Sequence, residues 1–289
     1  MRTTNDGIKC SSMNGVTSTT LLDTQLLSVR DIRCDGTCRH RSPTECAIAT
    51  AIVFPYRGTF ARHLGRNDAI ADANQVLFFN AGEEYSISHP VAGGDACLSL
   101  ALDDDWMREI VPVPRIARGP GIAFQDQRVR IDPSIQANAA LLRYGLRSGR
   151  LDSLQGETLA LSLVRSAVID GRVPNPRRSV GNHKLVNRAK LALMADPGRR
   201  WTLSAIGKEV GCSPVYLTQL FQQVEGMPLY RYQLRLRLAK AMADLENHDD
   251  LTTLALDLGF SSHSHFSTMF RATYGDNPSA FRSRIRSIP

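Results

Sequence analysis

A short apolar helix, a tight turn and a second helix form a pattern that occurs twice in the C-terminal part of this chain. The first copy is Trp201–Gly226 and the second is Leu251–Gly275. In each copy a glycine (Gly211, Gly259) lies close to a serine at the turn, and each copy ends in Phe-x-x-x-x-Gly. The pattern predicts two helix-turn-helix motifs, which are typical of proteins that read DNA.

The positive charge of the chain is confined to the part that contains the two motifs. Residues 1–176 have 19 Lys/Arg and 19 Asp/Glu, whereas residues 177–289 have 16 Lys/Arg and 9 Asp/Glu, which accounts for the whole net charge of +7. A solvated basic face would give the same numbers, but the duplicated motif favours a surface for nucleic acid. The neutral N-terminal part is expected to do different work.

The 289 residues are enough for two domains, and 43% of them are apolar. No apolar run approaches the ~18 residues of a membrane span. The polar N-terminus has no apolar segment of the secretory kind, so we expect a disordered arm over residues 1–20, a cytoplasmic location and mostly reduced cysteines.

Short β-branched and apolar runs separated by turn signals dominate residues 26–130 and predict an antiparallel sandwich or barrel. The predicted strands are Ala47–Phe54, Gly58–Leu64, Gln75–Phe79, Tyr85–Ser88 and Ala96–Leu102. Helical patterns follow at 133–147 and 154–169; they either pack on this domain alone or also form a dimer interface. The Gly- and Pro-containing segment 171–183 predicts a linker. The expected organisation is therefore a sensor and dimerisation domain over 21–170 and a helical DNA-binding domain over 184–289.

The second helix of each motif divides into an inner and an outer face. Leu217, Leu220 and Phe221 form the inner face in the first copy, as Phe266, Met269 and Phe270 do in the second. Gln side chains can bond adenine, and Val and Thr methyl groups can contact thymine. The outer residues, which we predict to contact DNA, are Val215, Thr218, Gln219 and Gln222 in the first copy and His263, Ser264, Ser267, Thr268 and Arg271 in the second.

Residues 184–286 resemble the DNA-binding domain of the AraC/XylS family of bacterial transcription regulators. The matching positions are Ala205, Ile206, Gly207, Gly211, Ser213, Pro214, Tyr216, Leu217, Phe221, Arg235, Leu236, Leu238, Ala239, Ala255, Leu258, Gly259, Phe260, Ser261, Ser264, Phe266, Phe270, Arg271, Gly275, Asn277, Pro278, Phe281 and Arg282. The resemblance implies double-stranded promoter DNA and RNA polymerase as partners, a homodimer, a small-molecule effector and activation of transcription. The outer positions of the first copy contain no Arg or Lys, so we expect weaker base readout there.

Residues 76–90 are similar to the strand-turn-strand segment of the cupin-like sensor domains that occur in the same family. The resemblance implies a β-rich cupin-like barrel with two or more helices ahead of the all-α domain. Metal-dependent cupins use His and Glu ligands in this region, and here only Glu83, Glu84 and His89 are available, without a His-x-His. A barrel that binds its ligand without a metal is therefore favoured.

Three of the six cysteines, Cys34, Cys38 and Cys46, lie within 13 residues, with His40 among them. Thiolates bind zinc, copper(I) or iron–sulfur centres, and a reduced cluster can also act as a redox switch. His40 or Cys97 would supply a fourth ligand. The spacing matches no standard zinc pattern, so incidental thiols remain an alternative, and Cys212 is assigned to packing.

The spacing between Cys34 and Cys38 is also that of the first cysteine pair in Ada-type, methyl-accepting repair regulators, but the second pair of that type is missing. The chain contains no P-loop, no G-x-G-x-x-G and no G-x-S-x-G. We therefore predict a regulator rather than an enzyme. The identity of the effector and the target promoters do not follow from the residues.

Overall fold

The computed structural model describes residues 15–37, 39–65, 67–117, 122–174 and 179–286. The chain divides into two compact units, of which the first ends at Arg172 and the second begins at Val173. The first unit is rich in strands and the second is helical, so the predicted fold class is confirmed. None of the described helices combines the length and the apolarity needed to cross a membrane.

Two antiparallel sheets build the first unit. The six-stranded sheet has the order β1-β2-β9-β4-β7-β10 and the four-stranded sheet the order β3-β8-β5-β6. In the described part of the chain no ladder joins the two sheets into a closed barrel. The strands are β1 Val16–Asp23, β2 Leu27–Cys34, β3 Glu45–Cys46, β4 Ala51–Gly58, β5 Phe60–Leu64, β6 Asn67–Ala71, β7 Gln75–Phe79, β8 Glu84–Ser88, β9 Asp95–Leu102 and β10 Arg128–Arg130.

The central strands β9 and β7 of the six-stranded sheet are buried on both faces. Because side chains alternate along a strand, Leu98 and Leu100 of β9 enter one core, together with apolar residues of the helices, whereas Cys97 and Ala101 enter a second core between the two sheets. All eight residues of β9 are buried as a result. A strand buried on both faces is continuously apolar rather than alternating.

The structure corrects the expectation of a disordered arm that reaches residue 20. Val16–Asp23 form β1, which pairs with β2 along its length. This strand lies at the edge of its sheet, so most of its Ser and Thr side chains stay exposed while the main chain is held by the ladder. The polar composition of this segment therefore favoured a disordered arm, although its Thr and Val side chains are β-branched and suit a strand. Residues 1–14 lie outside the described residues.

Three α-helices complete the first unit: α1 Asp104–Ile110, α2 Pro133–Arg147 and α3 Ser153–Asp170. Helix α3 begins with a capping box, in which Asp152 and Gln155 bond each other's main-chain N–H groups. Leu163, Val164 and Val168 of α3 join the core under the six-stranded sheet. Leu154 and Leu159 of the same helix stay exposed.

Over residues 179–286 the second unit consists of seven helices. They are α4 Val180–Ala195, α5 Leu203–Val210, α6 Pro214–Glu225, α7 Leu229–Asp244, α8 Leu251–Asp257, α9 His263–Tyr274 and α10 Pro278–Arg286. Helices α5 and α6 are the first predicted motif and α8 and α9 the second. Helix α7 connects the two motifs, and its Tyr232 and Leu236 belong to the core of the first.

Candidate functional site

Both predicted motifs have the same backbone frame. In the first, Gly211 ends α5 in the left-handed region at φ 77°, and the Ser213 side chain accepts a hydrogen bond from the N–H of Tyr216 at the start of α6. In the second, Gly259 has φ 77° and Ser262 accepts from the N–H of His265. A left-handed glycine followed by a capping serine fixes the turn between the two helices.

The inner faces of α6 and α9 hold each motif together. Leu217, Leu220 and Phe221 are at most 2% exposed, and Phe266 and Phe270 are fully buried. Met269, which we expected in the same stripe, is only half-buried. The apolar periodicity therefore located the packing face of both helices.

The outer face of α6 presents an apolar and amide surface. Val215 is 69% exposed, and Gln219 and Gln222 are exposed as well. Thr218 is half-buried, and its hydroxyl donates to the carbonyl of Pro214 at 2.9 Å. Since that hydroxyl is engaged within the helix, Thr218 offers mainly its methyl group to a partner.

The outer face of α9 is more polar and carries a cation. His263, Ser264, Thr268 and Arg271 are exposed. Ser267 is half-buried, and its hydroxyl lies 3.5 Å from Nε2 of His263. All nine residues predicted to contact DNA thus lie on these two helices, and seven of them are exposed.

A family model for a helix-turn-helix domain matches residues 206–284. The chain is 42% identical over 72 residues to the transcriptional activator RhaS of Pectobacterium carotovorum, covering 25% of this chain and 26% of the relative. It is 34% identical over 85 residues to the regulatory protein PocR of Salmonella typhimurium, covering 29% of this chain and 28% of the relative. An AraC-type DNA-binding protein structure from Chromobacterium violaceum shares 27% identity, covers 38% of this chain and 98% of its own, and has a TM-score of 0.35.

Residues 206–284 are an AraC-type helix-turn-helix domain. The predicted resemblance is confirmed for this region. The chain spans about a third of the length of the curated relatives that it matches, such as 35% of an uncharacterised regulator from Haemophilus influenzae and 28% of PocR. The matched relatives are named as transcription regulators or regulatory proteins.

Helix α7 fastens the two halves of the AraC-type domain. The Arg237 guanidinium donates to the carbonyls of Pro197 at 2.8 Å and Arg199 at 2.7 Å, ahead of the first motif, and to that of Gly259 at 3.3 Å, in the turn of the second. Burial, together with the nearby charge of Arg200, lowers the pKa of this guanidinium. Arg237 is therefore a structural residue of the domain rather than an available phosphate contact.

A buried ion pair, which the sequence pattern did not reveal, lies in the first motif. Nζ of Lys190 in α4 is 2.7 Å from Oε1 of Glu225 at the end of α6, and both side chains are fully buried. The same ammonium lies 5.2 Å from the centre of the Tyr232 ring in α7. The pair links three helices, and its sequence signal is only two charges within otherwise apolar helix faces.

The cysteines that are close in sequence differ in their surroundings. Cys34 is buried at the end of β2, whereas Cys46 and His40 are exposed. Cys38 lies outside the described residues. Cys97 is buried on β9 and lines the same cavity as Cys34. The structure thus groups Cys34 with Cys97 rather than with Cys46 and His40, because β2 and β9 pair while β3 belongs to the other sheet.

That cavity has a volume of about 60 Å³. Its buried polar side chains are Cys34, His89, Asp95 and Cys97. Nε2 of His89 lies 2.7 Å from Oδ1 of Asp95. The sequence analysis did not predict that His89 and Asp95 lie beside Cys34. The only sequence feature that pointed to this place is the Gly93–Gly94 turn immediately before Asp95.

Cys212 lies in the turn of the first motif and is half-buried against the core of that motif. Burial raises the pKa of its thiol, and Arg188 opposes the shift. A raised pKa disfavours the reactive thiolate. The surroundings of Cys212 agree with the packing role predicted from the sequence.

Proposed function

We propose that this protein is a promoter-binding transcription regulator that reads DNA with α6 and α9. The observation that carries the proposal is the repeated frame of the AraC-type domain, which buries one face of each helix and exposes the other. A helix of this kind enters the major groove with its outer side chains against the base edges. The excess of 16 Lys/Arg over 9 Asp/Glu in residues 177–289 supports binding to the phosphate backbone.

The two helices are proposed to read unequal half-sites. Gln219 and Gln222 of α6 can bond adenine edges, and the Val215 and Thr218 side chains can contact thymine methyl groups. In α9, Ser264 and Thr268 offer hydroxyl groups to base edges, while Arg271 supplies a cation for phosphate. Both helices would then contribute to sequence specificity, but only the outer face of α9 would contribute a positive charge.

Activation by a bound effector is proposed for the whole chain, with RNA polymerase and a second copy of the chain as partners. The likeness of the AraC-type domain to RhaS, which is named a transcriptional activator, supports activation. Leu154 and Leu159, on different faces of α3, are exposed apolar side chains that a second copy could cover. Sedimentation of the Leu159→Glu variant tests this part, since a monomer is expected in place of a dimer.

The DNA assignment is tested by selecting preferred sites from random DNA and measuring affinities across salt concentrations. Ser264→Ala and Thr268→Ala should lose about 1–3 kcal/mol on the selected site and nothing on random DNA. Arg271→Ala should weaken binding to every sequence and lower the salt slope by about one.

A matched control is Arg57→Ala, which removes the same charge from an exposed position of β4 in the first unit. It should leave both affinity and salt slope unchanged. Equal losses on selected and random DNA for Ser264→Ala and Thr268→Ala would contradict the assignment of α9 to the groove.

A further inference from the structure

The cavity between the two sheets carries a group of side chains that no catalytic or DNA-binding role explains. Cys34, His89 and Asp95 each place one potential ligand atom so that all three atoms lie within 4.8 Å of one another. All three residues are buried, with exposures of 8%, 3% and 5%. A thiol, an imidazole and a carboxyl group are rarely collected in an apolar interior without a common purpose.

The three residues come from both sheets. Cys34 and Asp95 are direct partners in the β2–β9 ladder, so their side chains leave the six-stranded sheet on the same face. His89 follows β8 of the four-stranded sheet. Any ion held by the three would therefore connect the two sheets at one end of the core between them.

Close contacts of the main chain fix the positions of Cys34 and Asp95. A side chain on Gly94 would meet the carbonyl oxygen of Cys34 at 2.1 Å, and one on Gly58 would meet the carbonyl of Gly94 at 1.9 Å. Only glycine is compatible with these approaches. The segment before Asp95 is thereby held against the end of β2.

The sulfur of Cys34 accepts a hydrogen bond from the main chain. The N–H of Gly36 points at Cys34 Sγ, with the nitrogen 3.5 Å from the sulfur. Cys97 lies two residues beyond Asp95 on the same face of β9 and adds a second sulfur to the lining of the cavity.

We propose that the first unit binds a divalent transition-metal ion of the zinc class through Cys34, His89 and Asp95. Sulfur, nitrogen and carboxylate oxygen are the donors that zinc takes in proteins, with bonds of about 2.0–2.3 Å. Ligand atoms around such an ion lie roughly 3.3–3.7 Å apart in a tetrahedron, so the group needs only small adjustments. Three protein ligands leave a fourth position facing the cavity.

The proton balance of binding follows from the three groups. On binding, the Cys34 thiol would release its proton to solvent, and the ion would displace the proton between His89 Nε2 and Asp95 Oδ1. The neutral imidazole would take up that second proton on Nδ1, so one proton is released for each ion bound. The cavity of about 60 Å³ exceeds the roughly 10–15 Å³ that one water needs. It therefore has room for the ion and a water ligand.

This proposal replaces the site predicted from Cys34, Cys38, Cys46 and His40, and it does not depend on DNA binding. The experiment uses the full chain, freed of metal with a chelator under reducing conditions and titrated with Zn²⁺ against a chromophoric indicator and with Co²⁺ in the spectrometer. One ion per chain is expected. Co²⁺ should give the sulfur-to-metal charge-transfer absorption of a thiolate ligand.

Cys34→Ser should lose the charge-transfer absorption and weaken Zn²⁺ binding by at least ~100-fold, since even outer residues of metal sites change affinity by 10–100-fold. Asp95→Asn, which keeps the shape of the side chain, and His89→Gln should weaken binding similarly. Cys46→Ser is the matched control: it removes an exposed thiol outside the cavity and should bind as the unaltered chain does.

Circular dichroism and gel filtration of each metal-free variant establish that it folds, and only folded variants are compared. The proposal is overturned if Cys34→Ser and Asp95→Asn bind Zn²⁺ as tightly as the unaltered chain. It is equally overturned if binding disappears in Cys38→Ser or Cys46→Ser, which would assign the ion to the cysteines that are close in sequence, or if the unaltered chain binds no ion stoichiometrically.

Discussion

The two helix-turn-helix motifs share a frame but differ in what the frame carries. Thr202 caps α5 and Asp250 caps α8, and a capping serine and a left-handed glycine bound each second helix. The turn of the second motif is one residue longer, because Gly259 is separated from Ser262 by two residues and Gly211 from Ser213 by one. The repeated backbone fixes the position of the reading helices, while chemistry at matched positions is free to diverge.

The inner positions diverge as well as the outer ones. Glu225, four residues after Phe221, is charged and buried against Lys190. The residue at the matched position of α9, four after Phe270, is Tyr274, whose pKa is raised by burial. The first motif thus depends on an ion pair where the second uses a phenol, and the outer face of α6 has no cation where α9 has Arg271.

The largest difference between the motifs should appear when the ion pair is broken. Lys190→Met leaves Glu225 charged and buried, so we expect a loss of about 3–5 kcal/mol in the free energy of unfolding. Trp201 packs on the core of the first motif, and Trp106 is the only other tryptophan. Urea unfolding followed by fluorescence in a Trp106→Phe background therefore reports on this motif.

The control for this experiment is the double variant Lys190→Met, Glu225→Leu. It removes both charges and should recover most of the lost stability, because an apolar pair of similar volume often replaces a buried ion pair without loss. If the single and double variants were equally unstable, the ion pair itself would not be what stabilises the motif.

A smaller effect is expected at the position where the turn meets the first helix of each motif. A side chain at Gly207 would lie 2.7 Å from the carbonyl oxygen of Cys212, whereas the matched residue of the second motif, Ala255, is accommodated and fully buried. Gly207→Ala should therefore cost about 1–3 kcal/mol through crowding. Ala255→Gly should cost only about 0.5–1 kcal/mol through backbone entropy. Thermal unfolding of both variants measures these two losses of stability. A Gly207→Ala variant that is more stable than the unaltered chain would show that the turn at Cys212 can move to accommodate the methyl group.

One substitution should give the outer face of α6 the positive charge that α9 has. Gln222 occupies in α6 the position that Arg271 occupies in α9, and both are exposed. Gln222→Arg should tighten binding to all DNA sequences and raise the salt slope by about one. Fluorescence anisotropy on random duplexes at several salt concentrations measures both quantities, with Gln223→Arg, an exposed neighbour outside the predicted contact set, as control. If Gln223→Arg raised the salt slope as much as Gln222→Arg does, the location of the added charge on α6 would not matter for DNA binding.

The smallest expected difference between the two motifs is the loss of stability at acidic pH. Hydrogen bonds from Thr253 and from the N–H of Thr252 lower the pKa of Asp250, the cap of α8. A carboxyl whose pKa is lower in the folded protein contributes stability above its unfolded pKa of about 3.9, and that contribution is lost as pH falls through the folded pKa. The Thr202 cap of α5 does not titrate. Asp250→Asn should flatten the decline in stability at acidic pH, whereas Thr202→Asn should leave the decline unchanged.

The sequence predicted those elements whose pattern is set locally. Helices α5, α6, α8 and α9 each begin at a capping residue, as α6 does at Ser213 before Pro214. The inner stripe of α6 follows from periodicity alone. Strands β7 and β9 are apolar runs between turn signals and were predicted within a residue or two. Strands β1, β2, β3, β6 and β10 were missed because they are short or contain many polar residues and depend on pairing with distant residues.

The cysteine site shows why sequence proximity fails inside a sandwich. Cys34 and Cys46 are 12 residues apart, but one ends a central strand and the other lies in an exposed strand of two residues. Cys34 and Asp95 are 61 residues apart and are direct partners in a ladder. Which residues face each other is determined by strand order and register, and neither is encoded in the spacing of cysteines.

Because β9 is buried on both faces, it contacts the cavity on one side and the helices on the other. Asp95 and Cys97 face the cavity, and Leu98 and Leu100 face the layer of α2 and α3. Close-packed interiors transmit displacement rather than absorb it. We therefore expect a ligand that displaces the cavity side of β9 to shift the packing of α2 and α3 as well, and α3 is the last helix of the first unit.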